Sequence, residues 1–295
     1  MNRARRRLAV AALFAAPSAL AETILHTERS LYRQIVVYED EDLVCMRFSK
    51  QYTARQSCRS RTQPRRLVFE YLRMMMGALY LDPAPSRILV MGLGGGSLVS
   101  ALAAALPQAR IDAVEVDPAV VRVARQYFDF APGPQVEVHE EDGRVFVKRS
   151  LRGGARYDLV MLDAYDHEYI PEHLLTQEFL EEVKQVLTPD GVVAANTFSS
   201  SRLYDHESAT YAAVFGRFYN LRRNNRVILL RRSGLLPLDV LERNAARLQD
   251  TLAPMGVDST WLLAQFVTTQ DWPADTRVLT DRYSPSNLLN ATGKP

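Results

Sequence analysis

The sequence predicts an α/β fold in which a parallel sheet carries helices on both faces and follows a small antiparallel β-domain. Apolar stretches of strand length alternate with amphipathic helical stretches from Arg87 to Leu230, the order that builds successive βαβ units. The first strand and helix are joined by a glycine turn, Gly92, Gly94, Gly95 and Gly96, of the kind that lets backbone N–H groups meet a ligand at a helix N-terminus. Before Pro64 the pattern is instead the two-residue alternation of antiparallel strands.

At the N-terminus, Arg3, Arg5, Arg6 and Arg7 precede an apolar run from Leu8 to Ala16, then Pro17 and the small-residue pattern Ala19-Leu20-Ala21. That is the layout of a secretory signal peptide over residues 1–21, cleaved before Glu22, and it predicts an exported, periplasmic protein. A mis-assigned start and a cytoplasmic protein are the alternative. The apolar run is too short to cross a bilayer as a helix, so no stable membrane span is expected once the leader is cleaved. Residues 22–63 read as the β-domain, with LYRQIVVYED, DLVCMRFS and YTARQSC as its strand-like segments and Gln56 at its end. Cys45 and Cys58 flank a hairpin there and either cross-link neighbouring strands or stay as two buried thiols; they are too few for a zinc site.

Residues 64–295 form the main domain, entered by a linker helix over 64–81 with Leu67, Val68, Tyr71, Leu72, Met75 and Leu79 at helical spacing. Asp82-Pro83-Ala84-Pro85 ends it. The strand Ile88 to Met91 leads through the glycine turn to a helix from about Ser97 to Leu106 and a second strand, Ile111 to Val116. Asp117 caps a helix from Pro118 to Phe128. Further strands run from Val136 to His139, Tyr157 to Leu162 and Val192 to Asn196, separated by helices to Lys148 and from Thr176 to Leu187. A helix around Glu207 to Phe215 and strands at Tyr219 to Arg222 and Val227 to Leu230 complete the pattern.

In such sheets ligands sit beyond the C-terminal strand ends. The glycine turn, Glu115, Val116, Asp142, Gly143, Asp163 to Glu168 and the pair Asn196-Thr197 fall there. Glu115 lies about 20 residues past the glycines, where a carboxylate accepts from ribose hydroxyls. A dinucleotide fingerprint wants a third glycine where Ser97 stands, which argues against NAD. The chain holds 36 basic and 34 acidic residues, and without the four leader arginines its net charge moves from +2 to −2, which argues against a nucleic-acid partner.

MGLGGGS, VEVD, EEDG and LDAYD, with Gln56 ahead of them, resemble the G-G-G-D-G-G, E-I-D, G-D-G, D-x-x-D and glutamine signatures of the spermidine synthase (polyamine aminopropyltransferase) family, from Tyr32 to about Leu230. The resemblance implies a Rossmann-like, S-adenosylmethionine-dependent transferase fold. It also implies aminopropyl transfer to a di- or polyamine, with decarboxylated S-adenosylmethionine or S-adenosylmethionine as co-substrate and no metal. By that similarity Gln56, Gly92, Gly94, Gly95, Gly96, Val116 and Gly143 line the nucleoside site, Glu115 holds the ribose and Asp142 the adenine amino group. Asp163 is the base, Asp166 binds the amine and Tyr165 is a hydrogen-bond partner; a homodimer is compatible with this reading.

The chemistry fits those residue types. A sulfonium is already a good leaving group, whereas the attacking amine, with a free pKa of about 10, must lose a proton to a carboxylate. Two departures from the family pattern stand out. Its aspartate in the glycine turn falls on Gly95, and its Tyr-x-Glu on the first helix falls on Phe69 and Tyr71. A turn without aspartate repels the carboxylate of ordinary S-adenosylmethionine less, and GLGGGS with IDAVEVDP also resembles the spermidine-synthase-like domain of certain protein methyltransferases. Methyl transfer is therefore the second reading. A non-catalytic exported polyamine- or nucleoside-binding protein is the third, because sulfonium nucleosides are cytoplasmic metabolites.

Overall fold

The computed structural model describes residues 22–49, 54–164, 171–199 and 203–285. The leader segment 1–21 and the site candidates Tyr165 and Asp166 lie outside them. Four strands, β1 (Thr23–Arg29), β2 (Gln34–Asp40), β3 (Leu43–Arg47) and β4 (Ser57–Ser60), pair antiparallel in chain order. Alternation gives this sheet two faces. Ile35, Val37, Val44 and Met46 pack on Ala119, Val120, Val123 and Phe128 of the main domain, while Tyr38, Cys45 and Cys58 cluster on the other side. Cys45 and Cys58 are direct cross-strand partners and are joined by a disulfide, so of the two states left open by the sequence it is the bridged one that the structure holds.

The helix expected over 64–81 is two shorter ones, α1 (Glu70–Met75) and α2 (Ala78–Leu81). Leu67 bridges to Arg59, and the Arg73 guanidinium donates to the carbonyls of Leu67 and Val68 at 2.8 and 3.4 Å, which holds the chain ahead of Glu70 out of the helix. Between α1 and α2, Gly77 sits so close to the core that a Cβ would lie 2.9 Å from the Met74 carbonyl and 3.1 Å from Leu229. Met74, Met75 and Met76 are fully buried as core filling.

The main domain continues as β5 (Arg87–Met91), α3 (Ser97–Ala105), β6 (Arg110–Val114), α4 (Pro118–Tyr127), β7 (Val136–His139), α5 (Gly143–Arg152) and β8 (Tyr157–Leu162). It closes with α6 (Gln177–Val186), β9 (Leu187–Phe198), α7 (Leu203–Phe215), β10 (Tyr219–Arg222), β11 (Asn225–Arg231), α8 (Leu238–Leu252) and α9 (Ser259–Leu263). The strands lie in the order β10-β11-β9-β8-β5-β6-β7. From β9 to β7 they are parallel, but β11 pairs antiparallel to β9 and β10 antiparallel to β11, so the sheet is mixed where the sequence pattern predicts it parallel throughout. The reason is local: Arg223 and Asn224 alone separate β10 from β11, and a two-residue link makes a hairpin, never a parallel crossover.

Helices on both faces make the central strands continuous apolar runs, and Ile88, Leu89, Val90 and Met91 are all at most 1% exposed. Burying each such side chain contributes about 1.5–3 kcal/mol. Asp117, Asp142 and Thr176 cap α4, α5 and α6, accepting from Ala119, Val145 and Phe179 N–H, with Pro118 in the first turn of α4. Beyond Leu230, where the sequence alone predicts no element, α8 lays Leu241, Ala245, Leu248 and Leu252 into the core beside α2.

Candidate active site

Strand order decides what meets at the sheet's C-terminal rim. With β8, β5, β6 and β7 side by side, Asp163, the glycine turn, Glu115 and Asp142 follow one another along it. The glycine turn is fixed from both sides. Gly92 has φ +89°, and a Cβ there would lie 2.2 Å from the Asp163 carbonyl oxygen, so only glycine lets the two strand ends close. On the other side Gly95 N–H donates to Ser57 Oγ at 2.9 Å, which ties the turn to the antiparallel sheet. A Cβ on Gly95 would meet the Phe128 ring at 2.6 Å and Ser57 Oγ at 2.8 Å, so the aspartate that the family carries there has no room unless Phe128 moves.

Both Glu115 oxygens accept backbone N–H groups, Oε2 from Leu93 and Oε1 from Asp117, each at 3.1 Å. Burial raises its pKa, against the lowering effect of those two donors. Its carboxylate therefore braces the glycine turn as well as facing the rim, with the half-buried Val116 next to it. Asp142 Oδ1 accepts from Val145 N–H at 2.9 Å, and Oδ2 lies 2.8 Å from His173 Nε2. Gly143 follows where a Cβ would approach the Met91 sulfur to 2.9 Å. Gln56 leads into β4 beside Ser57, its N–H on the Met46 carbonyl at 2.8 Å.

Asp163 is held differently. Its N–H bonds the Met91 carbonyl at 2.8 Å, and side chains take both carboxylate oxygens: Asn196 Nδ2 donates to Oδ1 at 2.9 Å and the Tyr71 hydroxyl to Oδ2 at 3.3 Å. Asn225 Nδ2 in turn donates to Asn196 Oδ1 at 3.2 Å, which orients the amide. Burial pushes the Asp163 carboxyl up to about 7; the Asn196 and Tyr71 bonds pull it down and the Glu115 charge adds to the rise. A carboxylate poised there takes a proton at neutral pH far more readily than an exposed one. Burial, followed by the Asp163 charge, keeps the Tyr71 hydroxyl well above the usual phenol range, so it stays a donor.

Of the residues singled out from the sequence, the structure thus gathers the four glycines, Glu115, Val116, Asp142, Gly143 and Asp163 on one rim, with Gln56 at the edge that Ser57 ties to the turn. Phe69, matched above to the tyrosine of the family pattern, stacks on Tyr71 at 5.9 Å and packs against the cluster of Tyr38, Cys45 and Cys58, and Tyr71, matched to its glutamate, is the residue that reaches the carboxylate. Sequence reasoning missed Ser57 and His173 as site residues, read Tyr71 as a departure from the family pattern, and placed Asn196 on the rim without a partner. Tyr71 lies 92 positions from Asp163 and Ser57 38 from Gly95, so no local pattern links them. Among the described residues Asp112, Glu137 and His139 offer ligand atoms within 4.8 Å of one another. Asp112 is already taken there by His139 and Tyr157 at 2.9 Å and Arg87 at 3.2 Å, which is how a sheet holds a buried carboxylate without an ion.

The mixed sheet, the glycine turn and the acidic rim define a Rossmann-like transferase fold of the methyltransferase type. Residues 68–230 match the spermine/spermidine synthase domain. A polyamine aminopropyltransferase of Vibrio vulnificus is 45% identical over 273 residues, 90% of this chain and 91% of its own. The chain belongs to the spermine/spermidine synthase family, whose members are transferases. A probable spermidine synthase from Corynebacterium glutamicum shares the fold at a TM-score of 0.63 and 21% identity, covering 86% of this chain and 98% of that one. Human methyltransferase-like protein 13, solved in complex with SAH, superposes at a TM-score of 0.58 and 30% identity over 72% of this chain and 99% of that one. The human eEF1A lysine and N-terminal methyltransferase is 37% identical over 146 residues, 46% of this chain and 21% of its own length.

Proposed function

We propose that this transferase moves the aminopropyl group of decarboxylated S-adenosylmethionine to a primary amine of a di- or polyamine. The observation that carries the reading is Asp163: a carboxylate at a strand end, fixed by Tyr71 and Asn196 and raised by burial to about 7, beside a glycine turn and Glu115. The glycine turn, Glu115, Val116, Asp142, Gly143 and Gln56 hold the nucleoside. Asp163 removes the proton from the attacking ammonium, the freed lone pair attacks the aminopropyl carbon, and the C–S bond breaks to leave a neutral thioether. Asp166 and Tyr165 complete the acceptor side in this proposal. The 45% identity to a polyamine aminopropyltransferase supports it.

The closed space at Gly95 favours a second reading, methyl transfer from ordinary S-adenosylmethionine, because no carboxylate at that position opposes the cofactor's own. Calorimetric titration of the protein from Glu22 with methylthioadenosine, decarboxylated S-adenosylmethionine, S-adenosylmethionine and putrescine separates the two. Preference for the decarboxylated nucleoside together with a diamine supports aminopropyl transfer, and preference for S-adenosylmethionine supports methylation. Diamine binding alone would leave a binding protein.

We also propose that the chain is exported to the periplasm, its leader removed before Glu22. The buried cross-strand disulfide supports this, since such bridges persist in oxidising compartments. N-terminal sequencing of protein from separated cell fractions tests it, and an intact Met1 in the cytoplasmic fraction overturns it.

A further inference from the structure

Among the described residues, Asp142 is the acidic rim residue whose carboxylate is shared with a histidine from another element. His173 sits in the short 3-10 turn Glu172–Leu174 between β8 and α6, and its Nε2 lies 2.8 Å from Asp142 Oδ2. A carboxylate only accepts, so Nε2 carries the hydrogen. With Oδ1 fixed by Val145 N–H at 2.9 Å, the two contacts leave the Asp142 side chain a single orientation.

The turn that carries His173 is itself latched by the C-terminal segment. Arg144, two residues past Asp142 and 8% exposed, donates to the His173 carbonyl at 3.2 Å. It grips Asp281 through two bonds of 2.7 and 2.8 Å and Glu182 through two of 2.9 and 2.8 Å. Such bidentate pairs fix direction as well as distance. Asp281 also accepts from Thr176 Oγ1 at 2.7 Å, and its N–H donates to Glu178 at 2.9 Å. Ser284 Oγ donates to the Glu172 carbonyl at 3.2 Å, and the buried Leu279 accepts from Gln177 N–H at 2.8 Å. A connected path therefore runs from the C-terminal turn through Arg144 and His173 to Asp142.

We propose that His173 is a positioning residue of the nucleoside pocket, aiming the Asp142 carboxylate at the exocyclic amine of the base, and that the Asp281–Arg144 latch holds His173 in place. The inference rests on the assignment of Asp142 to the nucleobase made above. Its consequence is selectivity. A correctly aimed carboxylate accepts from a 6-amino purine and repels the 6-oxo analogue, whereas a carboxylate free to rotate distinguishes them less.

The test measures Kd for methylthioadenosine and for methylthioinosine by calorimetry on the protein from Glu22, so that the readout is a ratio of affinities. His173→Ala is expected to weaken methylthioadenosine about tenfold with little change for methylthioinosine, and His173→Gln, which keeps an N–H donor, to restore most of the ratio. Asp281→Asn, which removes the charge from the latch while keeping its shape, is expected to lower the ratio less than His173→Ala. His173 is a surface side chain 46% exposed, so its loss leaves the core intact. Asp142→Asn, still a good helix cap, separates the two ideas. If it abolishes the discrimination while His173→Ala preserves it, the positioning role is wrong and the nucleobase assignment stands. If Asp142→Asn leaves the discrimination unchanged, the assignment fails and the positioning role with it.

Discussion

The two halves of the rim are built on different principles. On the nucleoside half every carboxylate accepts at least one backbone N–H, Glu115 from Leu93 and Asp117, Asp117 from Ala119 and Asp142 from Val145, with Ser30 and His173 adding one side-chain contact each to Asp117 and Asp142. On the acceptor half Asp163 is held by the side chains of Tyr71 and Asn196, with Asn225 behind them. Backbone donors make a cradle that no single side-chain substitution removes. Side-chain donors can be altered one at a time, and at Asp163 they pull down a pKa that burial raises.

The largest effect expected from this contrast is at Asp163. Asp163→Asn removes the proton acceptor and keeps the shape, so turnover should fall by about a thousandfold or more while methylthioadenosine Kd stays within about twofold. Equal loss of both in steady-state kinetics and calorimetry would erase the division between the halves. Gly92→Ala strikes the seam between them. With φ at +89° and the Asp163 carbonyl 2.2 Å from the new methyl, the folded state should lose on the order of 3 kcal/mol, read as a lowered midpoint in thermal or urea denaturation.

Tyr71→Phe sharpens the contrast. It removes a donor that lowers the Asp163 pKa, so the carboxyl moves above about 7 and the acid limb of the kcat/KM profile moves to higher pH. At pH 7 the rate should fall severalfold, about 1 kcal/mol, and recover in alkaline buffer. A uniform loss across the profile would mean that the hydroxyl only fills space. Ser57→Ala is the mildest change. It deprives Gly95 N–H of its acceptor, and methylthioadenosine binding should weaken by about fivefold, or 1 kcal/mol, with the pH profile unmoved.

The same division explains what could be read from the chain. The glycine turn, Glu115, Asp142 and the cap at Asp117 are local arrangements, and spacing within two successive βαβ units places them. The end of β8 marks Asp163 in the same way. Its partners come from α1 and β9, at sequence distances where pattern gives no register, so Tyr71 reads as a core-facing helical residue out of step with the family's glutamate, and Asn196 as a strand end. Helix lengths failed where tertiary contacts override propensity: Arg73 captures the carbonyls of Leu67 and Val68, and Gly77 makes its close approach to Leu229. The sheet's direction failed for a topological reason, since periodicity marks β10 and β11 as strands without saying that a two-residue link turns the chain back.

The bridge between Cys45 and Cys58 encloses the stretch from Met46 to Ser57 in a covalent ring. A protease cutting once inside that ring, between Met46 and Gln56, would produce two fragments that migrate as one molecule until a thiol is added. Ser57 would remain anchored against Gly95 through its neighbour's sulfur.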